Sequence, residues 1–377
     1  MTHGMLTRRT LLAGAAASVV AACVQTPRGP AAGKQRLRLI GQRELPHRLA
    51  FQGTTVGGLS AIDHDAPSGT WAALSDDRSD IDPARFYTLR IELDATQLAP
   101  IQLLRAVTLR QASGLPYPDA GRGGDIPDPE ALRLLPGARG LLWTSEGDGK
   151  RQLQPFLREA RIDGSHVRGY ELPPMLHFGG APGTGPRNNS TLEGLALTPD
   201  GRHAWIAMEG ALQQDGPVPT PSSPGAPCRF TLIDLASGKA LRQIAYQPDA
   251  VPMQPIPPGA FSDNGVSEIL MADSQRMLVL ERAYALGRGT SIRLYEIDTT
   301  LADDTLALAR LPAGQFRVAP KTLVADFATL GLPRLDNTEG MCWGPKLANG
   351  RRSLVFVSDD NFNPLQVTQF VACEYLE

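Results

Sequence analysis

Carboxylates recur at matching points along this chain, and their spacing is its strongest chemical signal. Glu130, Glu193, Glu268 and Glu339 each open a short apolar run. A second apolar run follows and ends in acid, at Asp76-Asp77, Glu146, Glu209, Glu281 and Asp359-Asp360. A set of hard oxygen ligands without Cys or His suits calcium or magnesium rather than zinc. Crowded carboxylates repel, so without a cation some must hold protons. Arg78 follows Asp76-Asp77, Arg282 follows Glu281, Arg85 lies just beyond, and Arg187 precedes Asn188-Asn189. Guanidinium groups beside carboxylate-held cations fit an anionic oxygen ligand such as a phosphate ester. The structural alternative is that the acids accept backbone N–H groups of the next repeat and the arginines bridge their own neighbours.

Bringing these side chains together requires a repeat architecture. A cassette of strand, turn, strand and acidic tip occurs at residues 57–77, 130–148, 193–210, 268–282 and 339–361, with starts 73, 63, 75 and 71 residues apart. That period is long for a propeller blade, but each interval holds two further strand-like runs. These are 86–93 and 102–110, 155–162 and 166–172, 229–235 and 240–246, and 291–297 and 321–327. The last copy supplies only 368–375 before the chain ends, and residues 35–44 provide the missing strand. The predicted fold is all-β: a single β-propeller of five four-stranded blades, its ring closed by the N-terminal strand, which removes the exposed edge. A sixth blade is the alternative, hidden in 251–264 or 301–318. First strands line a propeller's channel, so Glu193, Glu268, Glu339 and Glu130 are expected at one mouth. Insertions at 114–129, 181–191 and 213–227, rich in Gly, Pro and Ser, read as lids or loose connections.

With 377 residues, 42% hydrophobic and 20% charged, the chain can bury a large core, and 38 Gly with 32 Pro fit many turns. A net charge of -2 leaves no basic stripe for nucleic acid. Thr7-Arg8-Arg9-Thr10-Leu11-Leu12 is a twin-arginine pair entering an apolar stretch, residues 11–22, too short to span a bilayer. Val20-Ala21-Ala22-Cys23 resembles a bacterial lipobox, with Cys23 the lipidated residue. The expected organisation is a signal peptide at 1–23, a flexible tether at 24–34 and the propeller at 35–377. Export to the cell envelope or periplasm follows, with membrane contact through the lipid anchor only and the protein a monomer. Cys228, Cys342 and Cys373 fit neither a disulfide framework nor a zinc site and read as buried apolar residues.

Several of these runs carry a family resemblance. They are Ser75-Asp76-Asp77-Arg78-Ser79, Pro83-Ala84-Arg85-Phe86-Tyr87, Glu193-Gly194-Leu195, Gly265-Val266-Ser267-Glu268, Leu280-Glu281-Arg282, Asn337-Thr338-Glu339-Gly340 and Ser358-Asp359-Asp360-Asn361-Phe362. Together they resemble the bacterial phytase-like family, described as having esterase-like activity, over about residues 53–370. The resemblance implies an ester hydrolase whose channel carboxylates hold calcium and whose nucleophile is a metal-activated water. The metal set is then Glu193, Glu268, Glu339, Asp359 and Asp76. Arg78, Arg282 and Asn361 contact a small anionic ester substrate, and Glu281 and Asp77 are the candidates for general base. One departure is Ser190-Thr191-Leu192, where the family pattern has an aromatic before Glu-Gly.

Other mechanisms fit less well. Gly57-Gly58-Leu59-Ser60-Ala61 lacks the last Gly of a serine-hydrolase elbow, and neither His64 nor His177 is marked as its partner. No HExxH-type zinc spacing occurs. A non-catalytic envelope scaffold and a calcium-dependent lactonase remain the alternative functions.

Overall fold

The computed structural model describes residues 35–377; the signal segment, with Cys23, and the tether lie outside the described residues. The strands alternate with turns from β1 (Leu37–Glu44) through a small hairpin, β2 (Leu49–Phe51) and β3 (Thr54–Val56), into five sheets. The first is β4 (Leu59–Asp65), β5 (Thr70–Ser75), β6 (Arg85–Arg90) and β7 (Gln102–Thr108). The second is β8 (Pro129–Leu134), β9 (Gly140–Ser145), β10 (Phe156–Arg161) and β11 (His166–Tyr170). The third is β12 (Leu192–Leu197), β13 (His203–Met208), β14 (Cys228–Asp234) and β15 (Ala240–Tyr246). The fourth is β16 (Ser262–Met271), β17 (Arg276–Ala285), β18 (Gly289–Asp298) and β19 (Lys321–Asp326). The fifth is β20 (Asn337–Lys346), β21 (Arg352–Asp359) and β22 (Gln369–Tyr375), completed by β1 against β22.

This is a five-bladed β-propeller. The first strand of each blade packs against that of its neighbours around the axis. The N-terminal strand closes the ring as expected, with Leu37 opposite Tyr375 and Glu44 opposite Gln369. The segments considered for a sixth blade stay largely irregular: 301–318 carries only the last residue of the 3-10 turn Thr299–Leu301, and 251–264 just the start of β16. The hairpin β2–β3 has no counterpart in the sequence reading. The insertion 213–227 is fixed rather than loose, because both oxygens of Asp215 take the Arg229 guanidinium at 2.6 and 2.8 Å.

Period-two alternation builds the core. A blade strand is buried on both faces, so its alternate side chains enter two different interblade layers. On β17, Met277 and Val279 join Trp205 and Phe230 of the third blade, while Leu278 and Leu280 join Leu354 and Phe356 of the fifth. On β5, Trp71 and Ala73 face the fifth blade while Ala72 and Leu74 face the second. Five apolar clusters result, one between each pair of neighbours. Cys228, Cys342 and Cys373 lie free and buried within them.

Below the mouth, one side chain ties the ring together. Arg133 of β8 is 2% exposed and donates to the carbonyls of Ile62, Leu132, Ile269 and Met341. It also meets the Glu268 carboxylate at 2.8 Å, whose other oxygen accepts the Leu195 and Ile269 N–H groups at 2.9 Å. Inner strands of all five blades are thereby linked by one ion pair. Arg133→Met leaves Glu268 buried without its partner and is expected to lower the unfolding free energy by about 3–5 kcal/mol in urea denaturation. Adding Glu268→Gln should recover part of that loss. A change under about 1 kcal/mol for the single variant would contradict the lock.

Candidate functional site

Backbone register places the acids. In every blade the first strand carries one extra residue near its entry, between Leu59 and Ala61, Pro129 and Leu132, Leu192 and Gly194, Val266 and Glu268, and Thr338 and Gly340. Bulges of this kind re-aim a side chain. The residues at the bulges are Ser60, Glu130 (with Ala131), Glu193, Ser267 and Glu339. One position past the last pair before each bulge, the second strand contributes Asp76, Glu146, Glu209, Arg282 and Asp359. Two tiers of side chains therefore ring the mouth, acidic except in the first and fourth blades' bulges and at Arg282.

The fourth blade corrects two expectations. Glu268 pairs with Leu280, as Gly194 pairs with Ala207 and Gly340 with Val357, so Ser267 holds the position of Glu193 and Glu339. A one-residue offset sends a strand side chain the other way. Glu268 accordingly points to Arg133 rather than to the mouth. Glu281 is displaced by the same offset. It accepts Tyr246 Oη and Lys321 Nζ at 2.6 Å, Asn264 Nδ2 at 2.8 Å and the Asp249 N–H at 3.0 Å, away from the mouth. Asp77 is similarly engaged, taking the N–H groups of Asp80, Ile81 and Asp82 and the Arg85 guanidinium. Asp77 lines the mouth cavity, but both its oxygens, like those of Glu281, are taken up by these contacts.

The remaining predicted residues do converge. Asp76, Glu193, Glu339, Asp359, Arg78, Arg282 and Asn361 all line one cavity of about 910 Å³ at the mouth. Asp128 joins them from the end of the 114–129 insertion, and Asp263, Asp336 and Asn337 also line it. Asp128 escaped the sequence reading because it precedes the repeated cassette; only its place two residues before Glu130 marks it. Arg78 grips Asp128 with contacts of 2.7 and 2.5 Å and reaches Asn189 at 2.9 Å. Arg282 lies 3.1 Å from Glu209 and 3.5 Å from Glu339. In the first blade, Gly58 lies at φ 61°, and a Cβ there would come within 2.1 Å of an Asp76 oxygen, so glycine lets that acid close on the backbone.

Electrostatics at the mouth favour an added cation. Burial first, and neighbouring acids second, push Asp76, Glu130, Glu193 and Asp359 well above the usual carboxylate range. Glu146 is raised in the same way. Burial raises Glu209 to about 7 and Asp128 to about 6, although Arg282 and Arg78 respectively pull them down. Burial disfavours the Arg282 charge, yet Glu339, Glu209 and Glu193 outweigh it and hold the guanidinium above its ordinary value. Oxygens of Asp128, Glu130 and Glu146 lie within 4.8 Å of one another, as do those of Glu146, Glu193 and Glu209. These two triplets, sharing Glu146, could hold a metal ion. An all-oxygen, all-acid donor set fits a hard divalent cation.

Serine chemistry finds no support here. Ser60 Oγ is buried and donates to the Pro129 carbonyl, His64 stacks on Trp71 at 4.2 Å, and His203 faces Asp234.

The sequence pattern described as "Phytase-like: Esterase-like activity of phytase" matches residues 54–362. The chain belongs to the phytase-like family. No curated protein matches it. Among solved structures, the phytase-like chain is similar to a hypothetical protein from Leishmania major at 10% identity and TM-score 0.42, covering 89% of this chain and 91% of that one. It is also similar to a protein of unknown function from Dyadobacter fermentans (10%, TM-score 0.41, covering 91% and 100%). A third is the periplasmic gluconolactonase of Pseudomonas aeruginosa (13%, TM-score 0.35, covering 88% of each).

A pH dependence follows for the metal-free phytase-like propeller. Asp76, Asp128, Glu130, Glu146, Glu193, Glu209 and Asp359 each have a folded pKa above the unfolded value, so the folded chain holds protons that the unfolded chain releases. Their contribution is greatest below about pH 4 and is lost as pH rises through the folded values, about 6 for Asp128 and about 7 for Glu209. In EDTA, Tm is expected to fall from pH 5 to pH 8, and Glu193→Gln should flatten that fall. A Tm that rises over this range, with or without the substitution, would show that the acids are not coupled as described.

Proposed function

We propose that this protein is an exported, metal-dependent ester hydrolase, with calcium in its propeller mouth and a phosphate ester as substrate. The observation that carries the reading is the pair of acid triplets sharing Glu146 beside a guanidinium-bearing cavity. Asp128, Glu130, Glu146, Glu193 and Glu209 would hold the cation, with Asp76 and Asp359 lining the same cavity. When bound, the cation supplies Lewis acidity and a lowered water pKa.

The chain's own residues orient the reactants. Arg282, fixed between Glu209 and Glu339, steers the substrate anion, and Arg78 and Asn361 bound its position. Hydrolysis joins a water oxygen to phosphorus, breaks the phosphorus–oxygen ester bond, and delivers a proton to the departing alcohol. Glu339 suits the proton-holding role: its Oε1 takes Asn337 Nδ2 at 2.9 Å, and no hydrogen bond from the described residues reaches Oε2. The twin-arginine and lipobox-like runs support export and a lipid anchor at Cys23, with the propeller acting as a monomer in the envelope.

Calorimetry of EDTA-treated residues 35–377 with calcium tests the reading. Binding should weaken more than about tenfold in Glu146→Gln. Hydrolysis of p-nitrophenyl phosphate should vanish in EDTA and return with calcium. No binding at millimolar calcium would overturn the proposal and leave an envelope scaffold.

A further inference from the structure

The fourth blade is taller at the mouth than the others. β16, β17 and β18 run ten residues each, and the pairs from Ser262–Ala285 to Val266–Glu281 all lie on the mouth side of the bulge. Alternation along β17 buries Glu281, Ala283 and Ala285, while Arg282 and Tyr284 both line the cavity. Residues two apart on one face of a strand are separated by about 7 Å. Tyr284 thus follows Arg282 along the same cavity-facing side of β17, about 7 Å further from the bulge along the backbone. Phe261, just before β16, is 63% exposed and lies 6.3 Å from Tyr284, ring centre to ring centre. The loop after β21 brings Leu365, 79% exposed, to the same cavity. Such a cluster of exposed apolar side chains beside a polar site marks a ligand surface more often than scattered exposure does.

Charge points the same way. The guanidinium groups at the mouth are each already paired: Arg78 with Asp128, Arg282 with Glu209 and Glu339, Arg334 with Asp336. Apart from the cation of the hydrolase reading, the buried guanidinium donor at the mouth left without a hydrogen-bond partner among the described residues is Arg282 Nε, which suits one anionic group rather than a polyanion.

Resting on the hydrolase reading above, we infer that the substrate is an ester with a single anionic group and an apolar, aryl-sized substituent. The anionic group lies toward Arg282, and the substituent packs against Phe261 and Tyr284 with Leu365 alongside. Polyanionic esters such as inositol polyphosphates are disfavoured.

The test is calorimetric binding of non-hydrolysable phosphonates to the calcium-loaded protein, separate from turnover. Naphthylmethylphosphonate should bind about tenfold more tightly than methylphosphonate. Phe261→Ala and Leu365→Ala, both at exposed positions, should each lower the ratio of naphthylmethylphosphonate to methylphosphonate affinity. Equal affinities, no binding of either, tighter binding of inositol hexakisphosphate, or a preference that survives both variants would each overturn the inference. Failure of the hydrolase reading looks different: a Phe261-dependent preference for naphthylmethylphosphonate with no hydrolysis of any aryl phosphate. Hydrolysis of aryl and methyl phosphates with equal kcat/KM would retain the hydrolase and remove the substrate class.

Discussion

A guanidinium buried on the propeller axis constrains everything above it. Arg133 has donors enough to engage carbonyls from four inner strands, and Glu268 extends the contact to the fifth through the Leu195 N–H. A buried charge persists only if it is paired and hydrogen-bonded. The inner strands are therefore tied together at the level of Arg133, a few residues past the bulges. That shared level turns a repeated sequence cassette into converging carboxylates.

The acids of the repeat divide between two tasks according to register. Those one step out of line serve as links between or within blades: Glu268 to Arg133, Glu281 to Lys321 and Tyr246, Asp360 to the Gly58 N–H, and Asp77 to Arg85. Those in line face one another across a confined space, with Arg282 as the fixed counter-charge among them. Glu146 does both, since it also accepts the Thr191 N–H of the next blade. Raised carboxyl pKa values are the expected consequence of burial and mutual repulsion, and a divalent cation is the simplest way to relieve both.

The fold was largely legible because alternation and turn residues repeat at a steady interval. β10, β11, β14, β15, β19 and β22 lie within a residue or two of their predicted bounds, and the closing strand was identified from a deficit in the last blade. The site was legible only to the level of the cassette. Glu268-Ile269-Leu270 looks like Glu193-Gly194-Leu195 in sequence, yet a bulge position one residue earlier reverses its side chain. Arg133 sat unremarked within an apolar run, where its role depends on carbonyls from three other strands. Asp128 and the Phe261–Tyr284 wall come from an insertion and from a strand extension, neither of which repeats. Side-chain direction at a bulge and contacts between distant segments are tertiary facts, which a repeat pattern does not encode.

The central claim is that in-line acids of neighbouring blades share a cation. Long-wavelength anomalous diffraction from crystals of residues 35–377 grown in millimolar calcium tests this most directly. The account predicts a calcium peak touching Glu146 and at least one of Asp128, Glu130, Glu193 and Glu209. Peaks confined to outer loops, or none at all, would contradict it.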